Sequence, residues 1–167
     1  LDFNSPDFLR APEPLIQKNF SRIMSLKDGK NKMSKSDPSD LSRINLTDNK
    51  DQIINKIKKA KTDNDPLPED DKNLKKRPEV ENLLGIYSSL SDQSLEMSVN
   101  EFSGKNFSDF KKKLAEIVVE KISPISIEIN KIQKDINYID KVLSEGGKKA
   151  DMIASKKVSE IKRIIGF

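Results

Sequence analysis

The sequence has 167 residues, 31 of them basic and 27 acidic, which gives a net charge of +4 at pH 7. Hydrophobic residues make up 34% and charged residues 35%, so the chain can bury a modest helical core but not a large β-sheet core. The absence of cysteine excludes disulfides and thiolate metal sites. No apolar run approaches the roughly 18 residues that span a bilayer, and the first residues lack the basic and apolar segments of a signal peptide. We therefore expect a soluble, cytoplasmic protein with no membrane partner.

The first 45 residues predict short turns, one buried strand and an exposed loop. Prolines 6, 12 and 14 forbid a long helix in residues 1–20. The apolar run over 22–26 ends at an Asp-Gly turn and predicts a short buried strand. A loop over 27–39 leaves that strand, and ligands in doubly wound α/β folds bind beyond the carboxyl ends of strands. In residues 1–20 we expect these apolar side chains to be tucked in at intervals: Phe3, Phe8, Leu15 and Ile16.

From residue 46 onward, apolar periodicity predicts four or five helices and therefore an α-helical bundle. The predicted helices cover, in order, about 47–60, 78–90, 94–102, 106–143 with a kink or restart at Pro124, and 148–165. Gly146 and Gly147 are expected to end the fourth segment. The isoleucines between 125 and 139 form a regular seam, which we assign to the core. The last helix is expected to bury Ile153, Val158, Ile161 and either Ile164 or Ile165.

The loop over 27–39 contains a five-residue motif: Lys32, Met33, Ser34, Lys35 and Ser36. Lysine is a compact point charge on a flexible stem, while serine hydroxyls and loop N–H groups can donate hydrogen bonds to the same oxygens. Such a loop can hold a polyphosphate and stabilise charge that develops on its leaving half. The alternative is a solvated basic turn in which Ser36 or Asp37 caps a helix that Pro38 begins.

The five residues match, letter for letter, the KMSKS signature of class I aminoacyl-tRNA synthetases. The flanking sequences, RIMSL at 22–26, DP at 37–38 and NLLGIYS at 82–88, resemble the tryptophanyl-tRNA synthetases in particular, and the likeness covers nearly the whole chain. This resemblance implies the C-terminal part of an ATP-dependent tryptophan–tRNA ligase. Residues 1–45 would be the C-terminal remnant of a Rossmann-like catalytic domain carrying the KMSKS loop, and residues 46–167 an α-helical anticodon-binding domain.

The same resemblance implies that part of the enzyme lies upstream. The first ATP signature of the family contains histidine in most members, whereas this chain has no histidine and begins at Leu1. The tryptophan pocket would also lie upstream. We therefore expect this piece to be inactive by itself.

The resemblance further implies roles for single residues. Lys32 and Lys35 would be catalytic, because they would stabilise charge on the pyrophosphate that leaves when the tryptophan carboxylate attacks ATP-Mg²⁺. Ile23 would meet adenine through its backbone N–H and C=O. The implied ATP-binding residues are Ile23, Lys32, Met33, Ser34, Lys35 and Ser36, with no metal-binding side chain among them. The implied partners are tRNA-Trp, tryptophan and, for the full-length protein, a second subunit of a homodimer.

The family reads the tRNA anticodon with its helical region, so basic residues there are candidates for RNA contacts as a group. These are Lys111, Lys112, Lys113, Lys156, Lys157, Lys162 and Arg163. Two other functions stay open: a tyrosyl-tRNA synthetase-like fragment, which shares the lysine loop, and a non-catalytic helical RNA-binding module. Amino-acid-dependent pyrophosphate exchange by the full-length protein would distinguish the tyrosyl-tRNA synthetase from the tryptophanyl-tRNA synthetase. The intact lysine pair argues against the second, because a binding module has no need of it.

Overall fold

A computed structural model describes residues 8–9, 11–16 and 21–167, and it confirms a mostly helical fold. Over those residues there is no regular β-strand. No helix among them is both long enough and apolar enough to cross a membrane. The chain divides into two compact units, residues 17–130 and residues 1–16 together with 131–167.

The described residues form five α-helices: α1 (Lys50–Lys58), α2 (Pro78–Leu90), α3 (Leu95–Phe102), α4 (Phe107–Gln133) and α5 (Ile136–Ile165). Single turns of 3-10 helix cover Asp40–Ser42 and Leu74–Lys76. The first three helices confirm the prediction to within a few residues, because each has a clear start signal. Asn49 and Gln52 form a reciprocal capping box at α1, Pro78 occupies the first turn of α2, and the Ser94 hydroxyl accepts from the Met97 N–H at α3.

The predicted restart of the helix at Pro124 is wrong, since α4 continues through it to Gln133. Proline removes one backbone hydrogen bond from a helix, but α4 is stabilised here by a tertiary contact two residues later. The Ser126 hydroxyl lies 2.7 Å from the Leu46 carbonyl and 3.0 Å from the Asp48 carbonyl, and Ser126 is buried. This contact fixes α4 against the segment that precedes α1.

The predicted end at Gly146 and Gly147 is also wrong, because α5 runs through both glycines. The boundaries are set elsewhere. The Asp135 carboxylate accepts from the Tyr138 N–H at the start, and Gly166 ends the helix at φ +87°, a left-handed conformation that glycine adopts without strain. Glycine inside a helix costs only about 1 kcal/mol relative to alanine, which a long run of good helix formers outweighs.

The assignment of the later isoleucine seam to the core is wrong as well. No residue of α5 is buried; Ile153 is 75% exposed and Val158 is 48% exposed. Ile125 in α4 is 43% exposed. Helical periodicity identified the apolar face correctly, but periodicity does not say what covers a face. The prediction for residues 1–20 also fails at Leu15 and Ile16, which are exposed, while Phe3 lies outside the described residues.

The core of residues 17–130 is built where α2, α3 and the first half of α4 meet. The Tyr87, Phe102 and Phe110 rings, one from each helix, contact edge to face at centroid distances of 4.8 to 6.1 Å. Leu26 from the segment before the lysine loop and Ile53 from α1 belong to the same buried cluster. The lysine loop therefore leaves directly from the helical core.

A buried ammonium group joins α1 to the segment after the lysine loop. Lys56 is 2% exposed, and its Nζ lies 2.6 Å from Asp48 Oδ2 and 2.8 Å from Asp40 Oδ2. Asp48 is buried too, and the Asn45 N–H donates to it at 2.9 Å. The hydrogen bond from Lys56 holds the pKa of the Asp40 carboxyl below its ordinary value, with the Asn45 amide contributing next. The two carboxylates thus compensate a cation that is removed from water.

Replacing Lys56 by methionine should lower the free energy of unfolding by about 3–5 kcal/mol, because Asp48 would remain buried without its cation. Lys58→Met on the exposed side of the same helix is the matched control and should change it by less than about 0.5 kcal/mol. Urea unfolding followed by circular dichroism measures both. Equal effects of the two substitutions would contradict a structural role for the buried ion pairs.

Candidate functional site

The lysine loop grows out of a tight antiparallel turn. Met24 and Lys32 face each other in an isolated β-bridge. The Met33 N–H donates to the Ile23 carbonyl at 3.0 Å, and the Ser25 N–H donates to the Asn31 carbonyl at 2.8 Å. The predicted strand over 22–26 is therefore reduced to a single bridge. Ser25 is buried as the prediction required, whereas Ile23 is 46% exposed.

The antiparallel segments around residues 23–33 form a hairpin, whose turn is held by its own hydrogen bonds and by packing on α2. The Asp28 carboxylate accepts from the Lys30 N–H at 3.0 Å and from the Asn31 side-chain amide, and these two hydrogen bonds hold the Asp28 pKa below its ordinary value. Gly29 is buried against the start of α2, where a Cβ at this position would lie 2.5 Å from the Glu79 nitrogen and from the Pro78 carbonyl carbon. Only glycine permits so close an approach of two backbones.

The five motif residues separate into one anchor and four exposed side chains. Met33 is half-buried and packs against the hydrophobic core. The exposed residues are Lys32, Ser34, Lys35 and Ser36. Neither lysine ammonium forms an ion pair or hydrogen bond with any residue that the structure describes. The structure therefore places two positive charges on a short loop with no internal neutralisation.

Local hydrogen bonds shape the second half of the loop. The Ser36 N–H donates to the Ser34 hydroxyl at 3.2 Å, and the Asp37 N–H donates to the Ser34 carbonyl at 3.4 Å. No α-helix begins at Pro38, since the chain forms only the 3-10 turn over Asp40–Ser42. The alternative of a simple helix cap therefore does not describe this segment.

An arginine links the end of the loop to the ion pairs of the buried Lys56. Arg43 donates to the Asp37 carbonyl at 2.9 Å, and its guanidinium lies 3.3 Å from Asp40. Asp40 in turn binds Lys56. Both ends of the motif are thus attached to buried structure, while its two lysines remain in solvent.

Asn82 of α2 makes a contact that sequence reasoning missed. Its side-chain Oδ1 accepts from the Met24 N–H at 2.8 Å, and its Nδ2 donates to the Met24 carbonyl at 2.9 Å. Asn82 is only 2% exposed. The available signal was an amide placed between apolar residues Val80 and Leu83 of a helix, because a buried amide is nearly always hydrogen-bonded.

A polar cleft of about 880 Å³ lies beside this contact and is lined in part by Arg22, Met24, Asn82, Glu81 and Asp92. None of the motif residues 32–36 lines it. Two carboxylates against one guanidinium make this cleft unfavourable for a polyphosphate. The phosphate-binding residues expected from the sequence therefore lie outside this cleft, on the exposed loop.

The basic residues proposed as RNA contacts fall into different environments. Lys111 is partly buried, and its ammonium donates to the Ala60 carbonyl at 2.7 Å and lies 3.3 Å from the Thr62 hydroxyl. Burial lowers its pKa from the ordinary value. Lys112 and Lys113 are exposed on the same helix. Lys111 therefore serves the end of α1 and is withdrawn from the group of candidate RNA contacts.

Comparison with known proteins reveals the family. Residues 2–123 match the family described as tRNA synthetases class I (W and Y). The chain belongs to this family. Among curated relatives, the tryptophan–tRNA ligase of Agrobacterium fabrum is 53% identical over 155 residues, which cover 93% of this chain and 44% of that protein. The tryptophan–tRNA ligase of Caulobacter vibrioides is 45% identical over 166 residues, 99% of this chain and 48% of that protein.

Solved structures of class I tRNA synthetases show the same fold. The crystal structure of tryptophanyl-tRNA synthetase from Mycoplasma pneumoniae matches with a TM-score of 0.77 and 27% identity over 98% of this chain and 49% of that one. The Campylobacter jejuni enzyme complexed with ADP and tryptophan matches with a TM-score of 0.67 and 21% identity over 99% of this chain and 50% of that one. The chain thus spans about half the length of the class I relatives it matches.

Replacing Gly29 by alanine should destabilise the hairpin, because its Cβ would collide with backbone atoms of α2 that cannot rotate away. We expect a loss of about 1–3 kcal/mol in the free energy of unfolding. Gly146→Ala is the matched control, since no atom lies within 4 Å of its added Cβ and α5 should gain up to about 1 kcal/mol. Urea unfolding measures both changes, and a neutral Gly29→Ala would contradict the close packing of the turn on α2.

Proposed function

We propose that this chain is the C-terminal part of a tryptophan–tRNA ligase. The observation that carries the proposal is the exposed Lys32 and Lys35 pair of an intact KMSKS loop, in a chain that aligns almost end to end with tryptophan–tRNA ligases. The family includes enzymes for tyrosine as well as tryptophan. Identities of 45–53% to proteins named for tryptophan favour that amino acid over tyrosine, and over a helical RNA-binding module.

The geometry supports a charge-stabilising role for the loop. Lys32 begins the motif at the bridge with Met24, and Lys35 lies in the turn that the Ser34 hydroxyl shapes. Two ammonium groups that pair with no acidic side chain among the described residues can move toward negative charge as it builds on a leaving pyrophosphate. Such an interaction is stronger in the transition state than in the ground state, and therefore raises the rate of amino-acid activation. Ser34, Ser36 and the loop N–H groups supply shorter hydrogen bonds to the same oxygens.

Ile23 supports the proposal that ATP lies along this hairpin. Its carbonyl already accepts from Met33, but no described residue accepts from its N–H, which leaves a backbone donor for adenine. Met33 would bind ATP through its main chain, because its side chain is packed into the core. Mg²⁺ would accompany ATP, since this ion is usually held through phosphates and water with one or two carboxylates. Its charge would complement the two lysines on the phosphate chain.

The remaining assignments follow from the same family membership. We propose that residues 1–45 complete a Rossmann-like catalytic domain and that residues 46–167 form the helical domain that contacts the anticodon of tRNA-Trp. Lys112, Lys113, Lys156, Lys157, Lys162 and Arg163 remain the candidate contacts as a group. The full-length protein would act as a cytoplasmic homodimer, with its tryptophan pocket upstream of this chain.

Lys35→Ala in the full-length protein should slow formation of tryptophanyl-adenylate by about 10²-fold, as expected for the loss of one transition-state donor. Lys32→Ala should act in the same direction, while tryptophan affinity should change little. Pre-steady-state adenylation kinetics measure the rate. Lys30→Ala, on the exposed turn of the same hairpin, is the matched control and should stay close to wild type. Rates within threefold of wild type for both motif variants would contradict the assignment.

Charge removal on α4 should separate RNA contacts from structural lysines. The double substitution Lys112→Ala and Lys113→Ala should weaken binding of a tryptophan anticodon stem-loop and flatten its dependence on salt by about one unit of log–log slope per lost phosphate contact. Lys111→Ala should instead lower stability, because Ala60 loses its hydrogen-bond donor. Titrations at two salt concentrations, with an unrelated stem-loop as control, test this. Unchanged affinity and salt slope in the double variant would remove α4 from the RNA surface.

A further inference from the structure

The peptide groups on either side of Met24 are hydrogen-bonded along both edges. Toward the lysine loop, the Ile23 carbonyl accepts from Met33 and the Ser25 N–H donates to Asn31. Toward the helices, the Met24 N–H and carbonyl both pair with the Asn82 side chain. A residue in a strand presents its N–H and C=O to one neighbour and adjacent residues present theirs to the other. The Asn82 amide therefore takes the place of a neighbouring strand for a single residue.

This contact fixes the orientation of the backbone that carries Ile23. The Met24 N–H and the Ile23 carbonyl belong to one planar peptide unit. That unit is held by Asn82 at one end and by Met33 at the other, 2.8 Å and 3.0 Å away. The Ile23 N–H, which the proposed function assigns to adenine, belongs to the preceding peptide unit. That unit is joined to the fixed Ile23–Met24 unit through the Ile23 Cα, so the position of its N–H is set in part from α2.

We propose that Asn82 is a positioning residue for the nucleotide: it holds the Ile23–Met24 peptide in place and thereby orients the adjoining Ile23 N–H toward adenine, which links helix α2 to the ATP site. Asn82 does not touch the nucleotide. This inference rests on the proposed function, because it takes ATP as the ligand of the hairpin. Preorganisation of this kind lowers the entropy that binding would otherwise lose, and a displacement of about 1 Å can reduce a rate by about 10²-fold.

Two substitutions of Asn82 test the contact in different ways. Asn82→Ala removes both hydrogen bonds and leaves the Met24 N–H and carbonyl unpaired. Asn82→Asp keeps the shape of the side chain and the acceptor for the Met24 N–H. Its carboxylate has no N–H to donate, however, so the Met24 carbonyl loses its hydrogen bond and faces a negative charge. Asn82→Asp keeps the volume of the side chain, so it is the variant to use if Asn82→Ala does not fold. Val99→Ala, a buried truncation in α3 rather than in α2 or the hairpin, is the control for lost stability alone.

The measurements are made on the full-length protein. Tryptophan-dependent ATP–pyrophosphate exchange gives kcat and the KM values for ATP and tryptophan, equilibrium dialysis gives ATP affinity without chemistry, and hydrogen exchange reports the Met24 and Met33 amides. We expect both Asn82 variants to weaken ATP binding about 10- to 100-fold, to leave the KM for tryptophan within about twofold, and to accelerate exchange at Met24. Val99→Ala should lower the melting temperature without changing the KM for ATP.

Wild-type ATP affinity in a folded Asn82 variant would overturn the inference, and so would a Val99→Ala variant that reproduces the ATP defect. Equal losses of ATP and tryptophan affinity would also overturn it, because they indicate general damage. The proposed function fails separately, if the wild-type protein itself shows no tryptophan-dependent exchange. In that case ATP affinity in dialysis still decides on the role of Asn82.

Discussion

The burial of one ammonium group is the constraint on which the surroundings of the lysine loop depend. Lys56 is withdrawn from water on α1, so two carboxylates from the preceding segment must come to it. Asp40 is one of these carboxylates, so its position is fixed by Lys56. Asp40 also pairs with Arg43, whose guanidinium donates a hydrogen bond to the Asp37 carbonyl. The end of the signature motif is thus located by charge compensation in the helical region. An uncompensated buried charge would cost several kcal/mol, which makes this arrangement hard to relax.

The two faces of the loop region are held by different forces. The segment after the motif is held by ion pairs, whereas the segment before it is held by hydrogen bonds between neutral groups and by close packing. Asn82 pairs with the Met24 backbone, and Gly29 lies against the first turn of α2. The four exposed motif side chains stand between these attachments. The loop is therefore attached to buried structure on both sides, while the side chains of Lys32 and Lys35 lie in solvent.

The sequence predicted the helical class, the first three helices and the motif, because their signals are local: a capping box, a proline at the first turn and a five-letter match. It failed where long-range contacts decide. Pro124 stays inside α4 because Ser126 contacts carbonyls about 80 positions earlier in the chain. The Asn82 contact joins residues 58 positions apart. No periodicity in one helix can show such partners, and for the same reason the exposed apolar face of α5 was mistaken for core.

The close approach of Gly29 to α2 has a mechanical consequence. Gly29 contacts the first residues of the helix, and Asn82 holds Met24 less than two turns further along it. Because the hairpin is attached to α2 at two points, it can neither rotate nor slide relative to the helix. The hairpin and α2 therefore form one rigid unit. If the loop moves relative to the helices, the hinge must lie between Met33, which is bonded to Ile23, and Asp37, whose carbonyl Arg43 holds. Any tilt of α2 would be transmitted through Gly29 and Met24 to the hairpin as far as Met33.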